Sequence, residues 1–541
     1  GAPEARPLAS LIILCLALLL PGLSTLPPLD RDEARFAQAT KQMLETGDYV
    51  EIRFQDEARN KKPVGIYWLQ AASVTALSGR PYDQIWAYRV PSVLAATFAV
   101  LMTYWAGYTL RGQGVAFMGA ALFAASLLLI GEGHNAKTDA TQLATVMAAQ
   151  VALARAYLGE AGRNALGNAL LFWIAIGVSI LVKGPVGPMV AGLTAAALSL
   201  WDRDARWLLQ LRPILGAIVA LAIILPWGIA IGIATEGQFF ADAHLSDFGG
   251  KLVEGQERHG GWPGYYLLLV SVTFWPAALF LLPAAVTAWS ARTQNWAKFL
   301  IAWVVPAWIV FELVPTKLPH YVLPLYPALA IAAAVYLTQG RATVAPVWRY
   351  ISLALFVLVG VALAVGLTVA PEIYGVGAAW WNWLLSALMI AAIAVVSFGV
   401  LKGAKVETGQ GAVALGAAFA VVLLALVLPQ LQQLTLSVRA AAMTHDLRAD
   451  TGKPIGSAGY SEPSLVFLSG TRTRLKGARD LAGALARGEI AAAYIEKREQ
   501  QDFLEEAAKR GLSVEEAGKL EGLNYSKGKP VPLTLYRARA S

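Results

Sequence analysis

The chain has 541 residues, 57% hydrophobic and only 15% charged, with 44 Lys+Arg against 36 Asp+Glu and a single cysteine. An apolar majority gathered in long blocks excludes an ordinary soluble enzyme and a disordered chain, and a lone Cys15 excludes intramolecular disulfides and cysteine-based zinc sites. The net charge of +8 reads, in so apolar a chain, as loops facing anionic lipid and not as a nucleic-acid surface.

A membrane-spanning helix needs about 20 mostly apolar residues. About thirteen such blocks follow one another near 8–26, 85–108, 114–131, 138–157, 165–182, 184–201, 211–234, 264–289, 296–314, 320–338, 349–370, 379–401 and 411–430. The fifth and sixth meet at Lys183-Gly184-Pro185 and allow one bent element instead. The chain starts at Gly1 and not Met, so a trimmed or tagged beginning is expected there. The first block has the short apolar core of a signal peptide. With no A-x-A-like site after it and a dozen further blocks, a retained span is the expectation.

Lys and Arg in the short connections set the orientation. One set of loops carries twelve of them, from Arg111 through Arg203 and Arg292 to Lys405; the opposite set carries Lys137, Lys183 and Lys317. The first set is therefore cytoplasmic. The long loops at about 27–84 and 235–263, and everything after about residue 435, lie outside.

In the first outer loop, Asp32 is placed to cap a helix running to about Glu45, with Gly47 as its terminator. Phe36, Met43 and Leu44 share one face, as in a helix lying in the interface plane. A second such segment, Pro63–Leu77, carries Tyr67 and Trp68. Between them Lys61-Lys62 reads equally well as a solvated pair near headgroups. Acidic groups beside a membrane usually have a partner or a role, which singles out Asp32 and Glu33.

The chain divides into a membrane part, 1–434, and a soluble α/β part, 435–541. The latter predicts strands at Pro454–Tyr460, Ser464–Leu468, Ile490–Ile495 and Val531–Tyr536, and helices at Asp480–Arg487 and Glu499–Arg510.

Several motifs carry a family resemblance over about residues 10–335. They are Asp32-Glu33-Ala34-Arg35-Phe36-Ala37; Glu45-Thr46-Gly47-Asp48-Tyr49; Lys62-Pro63 ahead of Tyr67-Trp68; Arg89-Val90-Pro91-Ser92; Asp139; His259 ahead of Tyr265-Tyr266; and Lys317-Leu318-Pro319-His320-Tyr321. Together they resemble the GT-C membrane glycosyltransferases, and most closely the bacterial aminoarabinose (4-amino-4-deoxy-L-arabinose) lipid A transferases, relatives of the protein O-mannosyltransferases. One departure is Lys61, where the family pattern has an acidic residue before the Lys-Pro.

The resemblance implies an α-helical polytopic protein of the bacterial inner membrane. Its site and C-terminal domain would face the periplasm. An undecaprenyl-phosphate-linked sugar would be the donor and lipid A or another lipid the acceptor. Membrane lipids are the other partners, nucleic acid is not one, and a monomer is expected. Resistance to polymyxin and cationic peptides would follow.

A lipid-phosphate leaving group gains charge as the glycosidic bond breaks, so nearby cations lower the barrier. Lys62 and Arg35 are the first candidates for the donor phosphate, with Lys317 and Arg258 on other outer loops. Asp32 and Asp139 are the candidate catalytic carboxylates. Asp32 is a general base if the acceptor is a hydroxyl and a positioning group if it is a phosphate already ionised. Glu33, Tyr67, Tyr82 and Tyr321 are candidate pocket residues, although tyrosines at this depth are also ordinary belt residues.

His259 and Glu254 have the donor types for a divalent ion such as zinc, at a spacing that matches no strong motif. The resemblance implies no required cofactor. The same fold and donor with a protein Ser/Thr or glycan acceptor is a second reading. A transporter of lipid-linked sugars is a third, but it should carry its polar residues at mid-bilayer. Here they gather on one face.

Overall fold

The computed structural model describes residues 5–29, 31–160, 162–242, 261–339 and 344–539. The apolar blocks form a helical bundle. α1 (Ala5–Leu19) leads into an outer loop holding α2 (Asp32–Thr46), a hairpin of β1 (Arg53–Phe54) and β2 (Glu57–Ala58), and α3 (Gly65–Leu77). Then come α4 (Ile85–Arg111), α5 (Gln113–Ala124), α6 (Leu127–Gly133), α7 (Thr138–Tyr157), α8 (Ala165–Lys183), α9 (Val186–Asp202) and α10 (Pro213–Ala234). Further helices include Tyr265–Thr273, Leu281–Ser290, Asn295–Leu313, Tyr326–Gln339, Pro346–Tyr374, Trp380–Lys402 and Lys405–Val421.

Among the described residues, eight helices are long and apolar enough to cross a membrane, or ten if two bent pairs each count as one span. Length and composition thus do not reach thirteen. α1 and α9 are short apolar helices. α7 has the length but is too polar, because it buries Asp139, Gln142 and Gln150. It can do so because α4, α8 and α9 surround it and supply partners: Gln150 donates to Thr194 Oγ1 at 2.9 Å, and the Gln142 amide oxygen accepts from Ser179 Oγ and the Gly187 N–H, each at 2.8 Å. Ala140, Ala144, Ala148 and Ala152 on α7 let the neighbouring backbones come close, as small residues do between membrane helices. Lys183 and Pro185 belong to two separate helices, with Gly184 left-handed between them.

The outer loop is tied to the bundle by one buried ion pair. Arg89 on α4 and Glu33 on α2 are 1% and 2% exposed. Arg89 Nε and Nη2 donate to the two Glu33 oxygens at 2.7 and 2.9 Å. Its remaining donors go to the carbonyls of Leu23, Leu26 and Pro27. Glu33 also accepts from the backbone N–H groups of Leu29 and Ala136. The expected cap is therefore corrected. The N-cap position is Arg31, with no side-chain cap bond, and Asp32 is the first helical residue with its carboxylate exposed. Gly47 does end α2, at φ 76°, donating to the Met43 carbonyl.

α2 is not a helix lying on lipid. Its buried residues run from Glu33 to Leu44 on all sides, because the C-terminal unit covers the face turned away from α3. In that unit the sheet order is β4-β3-β5-β7-β6, with β3 (Gly456–Ala458) parallel to β4 (Arg474–Leu475) and β5 (Ala493–Glu496), and β6 (Val514–Asn524) and β7 (Lys529–Ala538) as an antiparallel hairpin. Ser464–Leu468 is not a strand but lies in the helix Pro463–Ser469. A short apolar run has no period to separate the two, and Pro463 at the first helical turn decides it. This helix docks on α2. Lys41 Nζ donates to the Phe467 carbonyl at 3.0 Å, Gln38 donates to Thr471 Oγ1 at 2.8 Å, and Tyr88 meets the Phe467 ring edge-on at 5.3 Å.

Two outcomes are expected. Arg89→Leu leaves Glu33 buried and unpaired, so the purified chain should lose about 3–5 kcal/mol in denaturant unfolding; a loss below about 1 kcal/mol would contradict this role. Burial, outweighing Glu45 and Asp83, lowers the Lys41 pKa below its usual 10.5. Between that lowered value and 10.5 the unfolded chain binds more protons, so stability should rise with pH across this window. Thermal unfolding of wild type and Lys41→Met from neutral pH to pH ~10 checks the sign: the variant's curve should be flatter.

Candidate active site

Five ionisable side chains close together where α6, α7, α8 and the 3-10 segment Pro319–Leu325 meet. Glu132 ends α6, Lys137 precedes α7, Asp139 lies in its first turn, Lys183 is the last residue of α8, and His320 opens the 3-10 segment. Lys137 Nζ lies 3.0 Å from Glu132 Oε2 and 3.5 Å from Asp139 Oδ2. Lys183 Nζ is bonded to Asp139 Oδ1. His320 Nε2 faces Asp139 Oδ1 at 3.5 Å, and Lys137 Nζ approaches His320 Nδ1 at 3.4 Å. An ammonium can only donate, so Nδ1 accepts and the ring proton sits on Nε2, toward Asp139. All five side chains are largely enclosed, with no exposed side chain among them.

With neutral His320 the cluster holds two carboxyl groups facing two ammonium groups. Burial works against the Lys137 ammonium, but Glu132 and Asp139 outweigh it and hold its pKa above the ordinary lysine value. The ligand atoms of Glu132, Asp139 and His320 lie within 4.8 Å of one another, the spacing of a metal set. Lys137 and Lys183 already stand against these carboxyl groups, so a divalent ion would have to displace an ammonium group.

Two charges of the first outer loop act on this cluster. Asp32 is close enough for its charge to act on Lys137, and Lys62 close enough to act on His320. Lys62 is brought there by a tight contact three residues on. A Cβ at Gly65 would meet the Leu181 carbonyl oxygen at 2.7 Å, so only glycine lets the start of α3 press against the end of α8 beside Lys183. Arg35 stands one helical turn from Asp32 on α2, half-buried. Tyr321 stacks edge-on against His320 at 5.2 Å and takes Lys183 Nζ over its ring at 5.6 Å.

The other candidates fall elsewhere. Glu33 is not a pocket residue, because every oxygen it has is used by Arg89 and backbone. Lys317 is 4% exposed and donates to the carbonyls of Glu312 and Val314, closing the C-terminal end of the helix Asn295–Leu313. That removes it from the phosphate candidates. Tyr67 is fully buried, stacked near Phe36, with its hydroxyl accepting from Arg59 at 3.3 Å. Burial pushes its phenol pKa up. It holds Arg59, whose guanidinium also lies 5.0 Å from the Phe36 ring centroid. Tyr82 packs with Tyr88 and Phe467 at the C-terminal interface. Arg258, His259 and Glu254 lie outside the described residues. Glu132, Lys137, Lys183 and Arg59 were not singled out from sequence. The available signal was that Lys137 and Lys183 are two of the three basic residues in the short connections of the outer face.

Residues 61–229 match the family model described as dolichyl-phosphate-mannose-protein mannosyltransferase. The undecaprenyl phosphate-alpha-4-amino-4-deoxy-L-arabinose arabinosyl transferase of Erwinia tasmaniensis is 29% identical over 312 residues, 56% of this chain and 54% of that protein. The protein of the same name from Pseudomonas aeruginosa strain LESB58 is 30% identical over 335 residues, 60% and 59% of the two chains. The chain thus spans just over half the length of the curated relatives it matches. Over the whole chain the fold is similar to ArnT from Cupriavidus metallidurans. The apo crystal structure gives a TM-score of 0.72 at 20% identity over 97% of this chain and 96% of that one. The structure bound to undecaprenyl phosphate gives 0.70 at 20% identity over 98% of each. The chain is therefore a multi-pass membrane protein with the GT-C glycosyltransferase fold and a small C-terminal sheet domain.

The cluster makes a double-mutant cycle informative. Lys183→Met should cost about 3–5 kcal/mol by stranding Asp139, and adding Asp139→Asn should recover much of it. Additive costs in unfolding of the purified chain would show that the two groups do not act as a pair.

Proposed function

We propose that the chain transfers 4-amino-4-deoxy-L-arabinose from undecaprenyl phosphate to a phosphate of lipid A, at the periplasmic face of the bacterial inner membrane, and so confers resistance to polymyxin and cationic peptides. On this reading residues 1–434 are the membrane catalytic part and 435–541 a periplasmic part. The observation that carries it is the convergence of Asp32 and Lys62 on the buried Glu132–Lys137–Asp139–Lys183–His320 cluster, in a chain similar to transferases of this name.

The reaction needs little covalent chemistry from the protein. An acceptor phosphate oxygen attacks the anomeric carbon. The bond from that carbon to the donor phosphate oxygen breaks, and its electron pair stays on undecaprenyl phosphate. An acceptor phosphate is already ionised at neutral pH, so no general base is required. Lys62 and Arg35 neutralise the charge growing on the leaving phosphate. Asp32, exposed and beside Lys137, pairs with the amine of the sugar and orients it. Asp139 fixes Lys183 and His320 and keeps the floor of the site rigid.

A second reading has one observation in its favour: residues 61–229 match a model built on protein mannosyltransferases, which act on protein acceptors. Mass spectrometry separates the two. Purified chain with undecaprenyl-phosphate aminoarabinose should add one aminopentose to lipid A; an unchanged lipid A beside a glycosylated peptide would replace the first reading with the second. In the same assay Lys62→Ala should lower kcat/KM by about 10²–10³ and Asp32→Ala by about 10². Full activity in both variants would refute the proposed site.

A further inference from the structure

A cavity with about 460 Å³ of empty space, its open mouth included, lies between the helices Leu281–Ser290, Tyr326–Gln339, Pro346–Tyr374, Trp380–Lys402 and Lys405–Val421. Tyr336 and Leu337 on its wall stand sixteen residues or more beyond His320 in the continuous span Pro319–Gln339, so the cavity is more than about 20 Å from the Asp139 cluster, at the other face of the bundle.

Its polar lining is positive. Arg349 stands in the first turn of Pro346–Tyr374, and Lys405 opens Lys405–Val421. At both helix starts the unpaired N–H groups add to the positive field. The Arg349 Nε is enclosed and makes no hydrogen bond among the described residues. Lys405 Nζ is held 4.7 Å from the Tyr336 ring centroid. Among the described residues no carboxylate lines the cavity, and Glu407 on the same helix turn is exposed and outside it. The rest of the lining is apolar, with Leu279, Phe280, Leu337 and Val400.

We propose that this cavity binds the headgroup of an anionic glycerophospholipid from the leaflet opposite the Asp139 cluster. The phosphodiester oxygens accept from Arg349 and Lys405, and the glycerol part of the lipid meets the apolar lining. That lining, in a cavity between helices long and apolar enough to cross a membrane, favours a lipid over free phosphate as the source of the anion. Basic pockets between membrane helices hold acidic headgroups by this combination. The inference needs only that the chain spans a membrane and stands apart from the transfer reaction.

Native mass spectrometry of the full chain released from detergent tests it, with phosphatidylglycerol, phosphatidylcholine and glycerol phosphate as probes. Wild type should retain phosphatidylglycerol over phosphatidylcholine by about tenfold, equivalent to 1.4 kcal/mol, and should not retain glycerol phosphate. Arg349→Gln with Lys405→Gln should bring the two lipids to parity. Arg349→Lys with Lys405→Arg keeps both charges and should keep the preference. Equal retention of both lipids by wild type, unchanged selectivity in the charge-neutral variant, loss of selectivity in the charge-keeping variant, or equal retention of glycerol phosphate would each overturn the proposal.

Discussion

The Glu33 carboxylate is the constraint on which the site depends. Its two oxygens bind Arg89, the N–H of Leu29 and the N–H of Ala136. Each end of this network has a charged neighbour: Asp32 adjoins Glu33, and Lys137 adjoins Ala136. One buried pair therefore sets the distance between the exposed carboxylate of the outer loop and the enclosed lysine of the bundle. Breaking such a pair is costly because either partner alone would be a buried charge without compensation. Arg89 spends its other donors on three carbonyls of the chain just after α1, so the same pair also fixes how the first helix enters the loop.

On that frame the charges sort into two layers. The inner layer, Glu132, Lys137, Asp139, Lys183 and His320, is enclosed and mutually paired, and it reorganises little when a reactant arrives. The outer layer, Asp32, Arg35 and Lys62, faces the open side. Fixed charges of this kind stabilise developing charge well because their orientation is set before reaction. α2 is the carrier of Asp32 and Arg35, and it is clamped from the far side by Lys41, Gln38 and Gln55 against residues 467–473 of the C-terminal unit. The sheet domain thus has a structural part in the site without contributing a residue to the cluster.

Much of this was legible in the sequence, and the misses have physical causes. Long apolar blocks announce helices whatever their packing, so the bundle and the C-terminal α/β unit could be read directly. Asp32 and Lys62 stood out as charges beside membrane. Glu33 looked equivalent to Asp32, because nothing local says which of two neighbouring carboxylates turns inward; that is settled by Arg89, 56 residues later in the chain. Lys317 looked like a phosphate ligand until the helix end next to it claimed its ammonium. Lys183 was visible only as a loop lysine, since its partner Asp139 lies on another helix. Gly65 was silent in sequence, because its role is a single close contact with a backbone oxygen of α8.

The most direct measurement is a structure of this chain with undecaprenyl phosphate bound. The phosphate should sit against Lys62 and Arg35, at charge-assisted hydrogen-bond distances of about 2.7–2.9 Å, above an undisturbed Asp139–Lys183 pair. A phosphate bound on the Lys317 side, or one that draws Lys183 away from Asp139 and leaves Lys62 free, would contradict the assignment.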